Sequence, residues 1–95
     1  DPISGRRAHE VGLVGHVTTD GLAYAKAREL ADRLAANGPL AVRNIKASVI
    51  AALELKEADA FQRELELGME VFASQDAKEG PKAFLEKRPP NFTGT

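Results

Sequence analysis

Phe72-Ala73-Ser74-Gln75-Asp76-Ala77-Lys78-Glu79-Gly80, followed by Ala83-Phe84-Leu85-Glu86-Lys87-Arg88 and Pro90-Asn91-Phe92, is the stretch on which the reading of this chain turns. A serine ahead of a helical run offers its hydroxyl to the first free backbone N–H groups. Ser74 is therefore expected to cap a last short helix through Asp76 to Glu86. Proline lacks an N–H and crowds the carbonyl four residues back, so an interruption is expected at Gly80-Pro81. Arg88-Pro89-Pro90-Asn91-Phe92 should leave the helix extended, because two prolines forbid it. Lys78, Lys82, Lys87 and Arg88 gather cations in this helix and its exit. Two readings stand: cations favoured at a helix C-terminus by the macrodipole, or contact with a phosphorylated ligand.

Upstream, the apolar period is helical in three further places. From Glu57 to Ala73, the residues Ala58, Phe61, Leu65, Gly68 and Phe72 make one stripe, and Ala60, Leu67 and Val71 make another. Two stripes call for burial on two sides, which a lone bundle of this size can hardly provide. Asn37-Gly38-Pro39 stops one helix and starts the next, with glycine as the stop and proline at the first helical position. In the helix after Pro39, Val42, Ile45, Val49, Ala52 and Leu53 are expected on the packing face, with Ala47 and Ile50 beside it. From Leu22 to about Ala36, Ala23, Ala27, Leu30, Ala31 and Leu34 share one face, with Lys26, Glu29, Asp32 and Arg33 opposite. At the start, Ser4 caps a short helix over Arg6 to Glu10, which Gly12 stops. Leu13, Val14 and Val17 form a brief β-favouring stretch, too short for a sheet of its own. The expected fold is all-α: four or five helices with one short strand-like segment, in a single domain over residues 1–95.

Composition narrows the function. The chain has 95 residues, no cysteine and a net charge of −1, so it holds at most one small domain. Sixteen alanines leave 25 larger apolar side chains, a thin core that points to close helix packing. Balanced charge offers no basic footprint for nucleic acid. Without cysteine there are no disulfides, no thiol catalysis and no Cys-ligated zinc, which fits a reducing, cytoplasmic location. No apolar run is long enough to cross a membrane, and no secretory signal is seen. The chain opens with Asp1-Pro2 and not Met, so it is expected to be a piece of something larger.

Catalytic constellations are missing. His9 and His16 are the only histidines, and neither has a partner at metal-ligand spacing. Ser4, His9 and Asp1 spell a triad, but no nucleophile elbow supports it. Glu54 and Glu57 flank apolar residues, yet they read as solvated helix ends rather than as a carboxylate with a raised pKa. Phosphate loops of the Walker or dinucleotide type are absent.

The quoted stretch resembles the C-terminal signature of the enoyl-CoA hydratase/isomerase (crotonase) family. Two upstream blocks agree in order and spacing: Ile3-Ser4 through Ala8-His9 to Gly12-Leu13-Val14, and Gly38-Pro39-Leu40-Ala41-Val42 with Ile45-Lys46. The resemblance covers essentially the whole chain. It implies the C-terminal third of a crotonase-fold protein, a helical region that makes trimer (or dimer-of-trimers) contacts and covers an acyl-CoA site. Family members hold the thioester enolate in an oxyanion hole of two backbone N–H groups, and hydratases add two glutamates. Those groups lie before this segment, so no residue here inherits a catalytic role and no metal or separate cofactor is implied; coenzyme A enters as part of the substrate.

A binding role does carry over. The lysine of the Glu-Lys-Arg block, Lys87 here, approaches the 3′-phosphate and adenine end of CoA in the family. A pocket aromatic common in hydratases falls at or near Gly68 and is absent, leaving Met69 or Phe72 as candidate pocket-lining substitutes. At Gly15-His16 an acidic residue or asparagine is common in the family, and no function is attached to this departure. The resemblance implies a parent that hydrates or isomerises an acyl-CoA thioester, with acyl-CoA and copies of itself as partners. Two alternatives stand beside it: another crotonase chemistry (hydrolysis, decarboxylation or ring closure), or a stand-alone helical interaction module.

Overall fold

The computed structural model describes residues 1–95 as five helices: α1 (Gly5–Glu10), α2 (Ala23–Ala35), α3 (Pro39–Ala52), α4 (Glu57–Ala73) and α5 (Gln75–Leu85). The all-α expectation holds, and the helix ends fall within a residue or so of those read from caps and periodicity. The chain divides into two compact units, Asp1–Arg33 and Leu34–Thr95.

In the first unit Ser4 caps α1 as its chemistry dictates, its Oγ accepting the Arg7 N–H at 3.1 Å. Gly12 lies at φ +76°, the left-handed turn that ends a helix at little cost only for glycine. The strand-like segment at Leu13, Val14 and Val17 is not formed; no strand occurs anywhere in the chain. The reason is local. The Leu13 and Val14 N–H groups turn back onto the Ala8 carbonyl, at 2.8 and 3.4 Å, closing the helix end. Amides spent on that turn cannot enter a ladder, and no second strand exists to pair with them. Along α2 the Lys26–Glu29 and Arg28–Asp32 pairs occupy the polar side, while Ala23, Ala27, Ala31 and Leu34 remain exposed and Leu30 is half-buried.

The second unit is built on α3 against α4, with α5 following on α4. One of the two α4 stripes is packed: Leu67 is buried, and Ala60 and Val71 are half-buried. The other stripe, with Phe61, Leu65 and Phe72, stays exposed. Full burial of one leucine is worth about 1.5–3 kcal/mol, so this core is small.

On α3 the packing face differs from the expected one. Of the expected positions only Val42 is shielded, together with Ala41, Asn44, Ser48 and Ala51, whereas Ile45, Val49, Ala52 and Leu53 are exposed. Small side chains let two helix backbones approach closely, and that approach decides the face here. Asn44 shows it: its Nδ2 reaches across to donate to the Leu67 carbonyl and to Glu70 Oε2, both at 2.9 Å.

The expected break at Gly80-Pro81 is also absent, and α5 runs unbroken through Pro81. A residue before proline is pushed out of the α region by its own Cβ and N–H against the proline ring. Gly80 has no Cβ, which removes part of that clash. The Phe92 ring packs over this position at an ordinary contact distance, 3.8 Å from where a Cβ would stand.

Candidate functional site

The groups that could meet a ligand gather around α5 and the tail that returns along it. At the helix start Ser74 is buried; its Oγ donates to the Val71 carbonyl at 2.6 Å and accepts the Ala77 N–H at 3.1 Å. The Gln75 and Asp76 N–H groups donate to the Thr95 carbonyl, at 2.7 and 3.3 Å. Three N–H groups that a helix start leaves unpaired are thereby satisfied. Asp76, only 7% exposed, grips the tail in return. Its Oδ1 accepts from the Thr93 N–H (2.8 Å) and hydroxyl (3.3 Å), and its Oδ2 accepts from the Gly94 N–H (2.8 Å).

One turn further on, Glu79 and Arg88 form a bidentate pair, with Nη1 to Oε1 at 2.6 Å and Nη2 to Oε2 at 3.0 Å. Glu79 Oε1 also accepts the Asn91 N–H at 2.8 Å. The Arg88 guanidinium, and after it the Asn91 N–H, hold the Glu79 carboxyl down at about 2. Glu79, and next Glu86, strengthen the hold of Arg88 on its proton. A carboxyl depressed in this way contributes stability above its ordinary value of 4.5 and loses it as the pH falls towards 2. The pair is therefore ionised at any pH near neutrality.

Between these anchors stands Lys87. The Glu86 N–H closes on Lys82 and Phe84, the Lys87 N–H on the Phe84 carbonyl (3.2 Å) and the Arg88 N–H on the Ala83 carbonyl (3.1 Å). This is a Schellman ending, in which the residue after the cap adopts the left-handed conformation usually given to glycine. Lys87 does so at φ +53°, the only non-glycine residue with positive φ. Its ammonium is exposed and takes part in no hydrogen bond or ion pair, unlike that of Lys26 or the guanidinium of Arg88. Backbone amides, not the lysine side chain, satisfy the last carbonyls. A left-handed non-glycine residue costs on the order of 1–3 kcal/mol. Lys87→Gly should thus raise stability by about 1 kcal/mol after the added freedom of glycine in the unfolded chain is subtracted. Urea denaturation checks this, and a Lys87→Gly protein no more stable than the parent would refute it.

Met69 and Phe72, the candidate pocket-lining residues, are both exposed on α4. They share a shallow groove with Phe61, Leu65 and Gly68. Phe72 also borders an apolar groove of ≈ 240 Å³ between α3 and α4, edged by Ile45, Val49 and Leu67. Lys87 lines neither groove. Ser4, His9 and Asp1 form no triad: the serine hydroxyl is spent on its cap, and His9 Nδ1 lies 3.1 Å from the Val14 carbonyl. No three His, Asp or Glu side chains converge as a metal site would require. The Asp76 and Glu79 contacts escaped the sequence reading because their partners lie nine to eighteen residues away, beyond the i,i+4 spacing by which neighbours are recognised on a helix.

A helical segment whose last helix ends in an exposed, left-handed lysine and whose tail is strapped back by two carboxylates is thus defined by fold and site together. The chain belongs to the enoyl-CoA hydratase/isomerase family, whose profile matches residues 1–95. Among its relatives is the enoyl-CoA hydratase EchA19 of Mycobacterium tuberculosis, 52% identical over 90 residues that make up 95% of this chain and 34% of that protein. The methylmalonyl-CoA decarboxylase of Escherichia coli is 35% identical over 95 residues, or 36% of its length. The crystal structure of an enoyl-CoA hydratase from Mycobacterium tuberculosis H37Rv superposes with a TM-score of 0.93 at 40% identity, covering 100% of this chain and 38% of that one. The chain spans about a third of the length of the relatives it matches.

Proposed function

We propose that this chain is the C-terminal part of an enzyme that hydrates or isomerises the double bond of an acyl-CoA thioester. It contributes oligomer contacts and part of the CoA site, while the catalytic groups belong to the rest of the protein. The observation that carries this reading is the family match along the entire chain, with 52% identity to a hydratase. The similarity to a decarboxylase supports a second reading, decarboxylation of an acyl-CoA. It is weaker at 35%, and both readings keep the CoA thioester. Full-length protein decides between them: water added to crotonyl-CoA supports the first, and carbon dioxide released from a malonyl-type thioester supports the second.

Within this reading Lys87 contacts the 3′-phosphate of CoA, and Met69 and Phe72 line the acyl or CoA pocket. An exposed ammonium free of internal partners is what such a contact requires. Charge-assisted contacts are worth about 1.5–3 kcal/mol when well formed, and exposed ion pairs only about 0–1 kcal/mol. At a solvent-facing position about 1 kcal/mol is expected. Lys87→Ala should then raise KM several-fold with kcat nearly unchanged, since the contact is equal in ground and transition states. The effect should shrink with dephospho-CoA substrates and at high salt. Lys82→Ala, on the same helix, serves as the control and should do little. An unchanged KM for Lys87→Ala would remove Lys87 from the site.

A further inference from the structure

Lys87 is held in a conformation that its side chain disfavours, and the groups that hold it there are specific. The Schellman bonds fix the turn from inside the helix. From outside, Arg88 is tied on both flanks: Nε donates to Glu86 Oε2 at 2.6 Å, and the two terminal nitrogens clasp Glu79. Glu79 then takes the Asn91 N–H as well, so Arg88 to Asn91 close on that carboxylate, while the Glu86–Arg88 bond closes a smaller ring across Lys87. Within that ring Lys87 carries the one cation without a partner.

We propose that Glu79 and Arg88 are positioning residues for Lys87: their bidentate pair, extended to the Asn91 N–H, locks the left-handed turn and so aims the ammonium at a phosphomonoester of the ligand. The proposal rests on the reading of Lys87 as the 3′-phosphate contact. Geometry supports it because a guanidinium–carboxylate fork fixes orientation as well as distance, and a strained backbone persists only where its surroundings over-determine it. Charge supports it too. Arg88 engages both nearby carboxylates, Glu79 and Glu86, which would otherwise repel an anion arriving at Lys87. The other ionisable groups of this face are Lys78 and Lys82, exposed on α5, and Asp76, which is committed to Thr93 and Gly94.

The decisive variant is Glu79→Gln, because simple electrostatics and positioning predict opposite signs. Removing a negative charge near the phosphate should tighten CoA binding if Glu79 acts only through its charge. Loosening the turn should weaken it. Calorimetric titration of the full-length protein with CoA and with 3′-dephospho-CoA reads the difference. Lys87→Ala should lose about fivefold in CoA affinity, and Glu79→Gln about threefold, with dephospho-CoA affinity unchanged in both. Arg88→Lys keeps the charge but loses the fork, so it should behave like Glu79→Gln. It carries the comparison should Glu79→Gln fail to fold, as judged by circular dichroism. In the double variant Glu79→Gln/Lys87→Ala, affinity should equal that of Lys87→Ala alone, since a mis-aimed lysine and a missing one are the same loss.

Three results would overturn the proposal. CoA binding in folded Glu79→Gln or Arg88→Lys as tight as in the parent, or tighter, shows that the pair aims nothing. An equal loss for dephospho-CoA shows a general structural role. If Lys87→Ala still discriminates between the two ligands as well as the parent does, the Lys87 reading falls and takes this proposal with it. Loss of discrimination in Lys87→Ala alone refutes the positioning role and leaves the phosphate contact standing.

Discussion

The 95-residue chain by itself should turn over no enoyl-CoA thioester and should not persist as a well-folded monomer at about 100 μM, a concentration that half-forms an association of roughly 5.5 kcal/mol. The first half of this expectation follows from chemistry. Activating water and stabilising a thioester enolate need preorganised donors and tuned carboxylates. Here the serine and histidine of the Ser4, His9 and Asp1 set are a helix cap and a ring beside a backbone carbonyl. The two most engaged carboxylates, Asp76 and Glu79, are consumed in holding the tail. The second half follows from packing. Of 25 larger apolar side chains only Leu67 is buried, and Phe61, Leu65, Met69 and Phe72 form an open stripe along α4, each 59% exposed or more. Contiguous apolar surface of that kind marks an interface. Turnover of crotonyl-CoA above a buffer control, abolished by a substitution within the chain, would refute the first half. Sedimentation of a well-folded monomer at that concentration would refute the second.

Asp76→Ala should cost about 2–4 kcal/mol, a larger loss than any other single polar substitution in this segment. The carboxylate satisfies two backbone N–H groups and a hydroxyl while it is nearly excluded from water. Each hydrogen bond to a charged group contributes about 1.5–3 kcal/mol, and a donor left unpaired out of water adds a desolvation penalty. Partial re-solvation of the released tail lowers the sum. The loss is not confined to Asp76, because the Thr95 carbonyl that receives the Gln75 and Asp76 N–H groups is held in place by the same grip. Asp76→Asn, which keeps one accepting oxygen, should recover about half of the loss. Chemical denaturation reads both, and rapid amide exchange at Thr93 and Gly94 should accompany the first. An Asp76→Ala protein within 1 kcal/mol of the parent would show that the tail is held elsewhere.

How much was legible in the sequence depended on the range of the interaction. Ser4 and Ser74 could be recognised as caps because the N–H each accepts is three residues away. Gly12 and Pro39 marked helix boundaries because backbone torsion and a missing donor act on the residue itself. The Leu13–Val17 stretch misled because β-propensity describes a fit to a sheet, and there is no sheet to fit. The α3 face misled for a related reason. Apolar periodicity picks out what could be buried, but the helix pair chose Ala41, Asn44 and Ser48 because a close approach needs small side chains more than greasy ones. Lys87 could be named from the block that contains it, but nothing in its neighbours announced a left-handed turn.

By itself the sequence determined the class: five short-range helical segments, bounded by caps and breakers that act within four residues, and a family signature that spans them all. Tertiary structure alone decided which stripe of α4 is covered, that α5 continues through Pro81, and that Asp76 and Glu79 turn from surface acids into the anchors of a tail twelve to eighteen residues on. The physical reason is the same in each case. Local torsion and capping are properties of adjacent residues, whereas burial and the satisfaction of a distant amide are known only when the backbone has brought the two groups together.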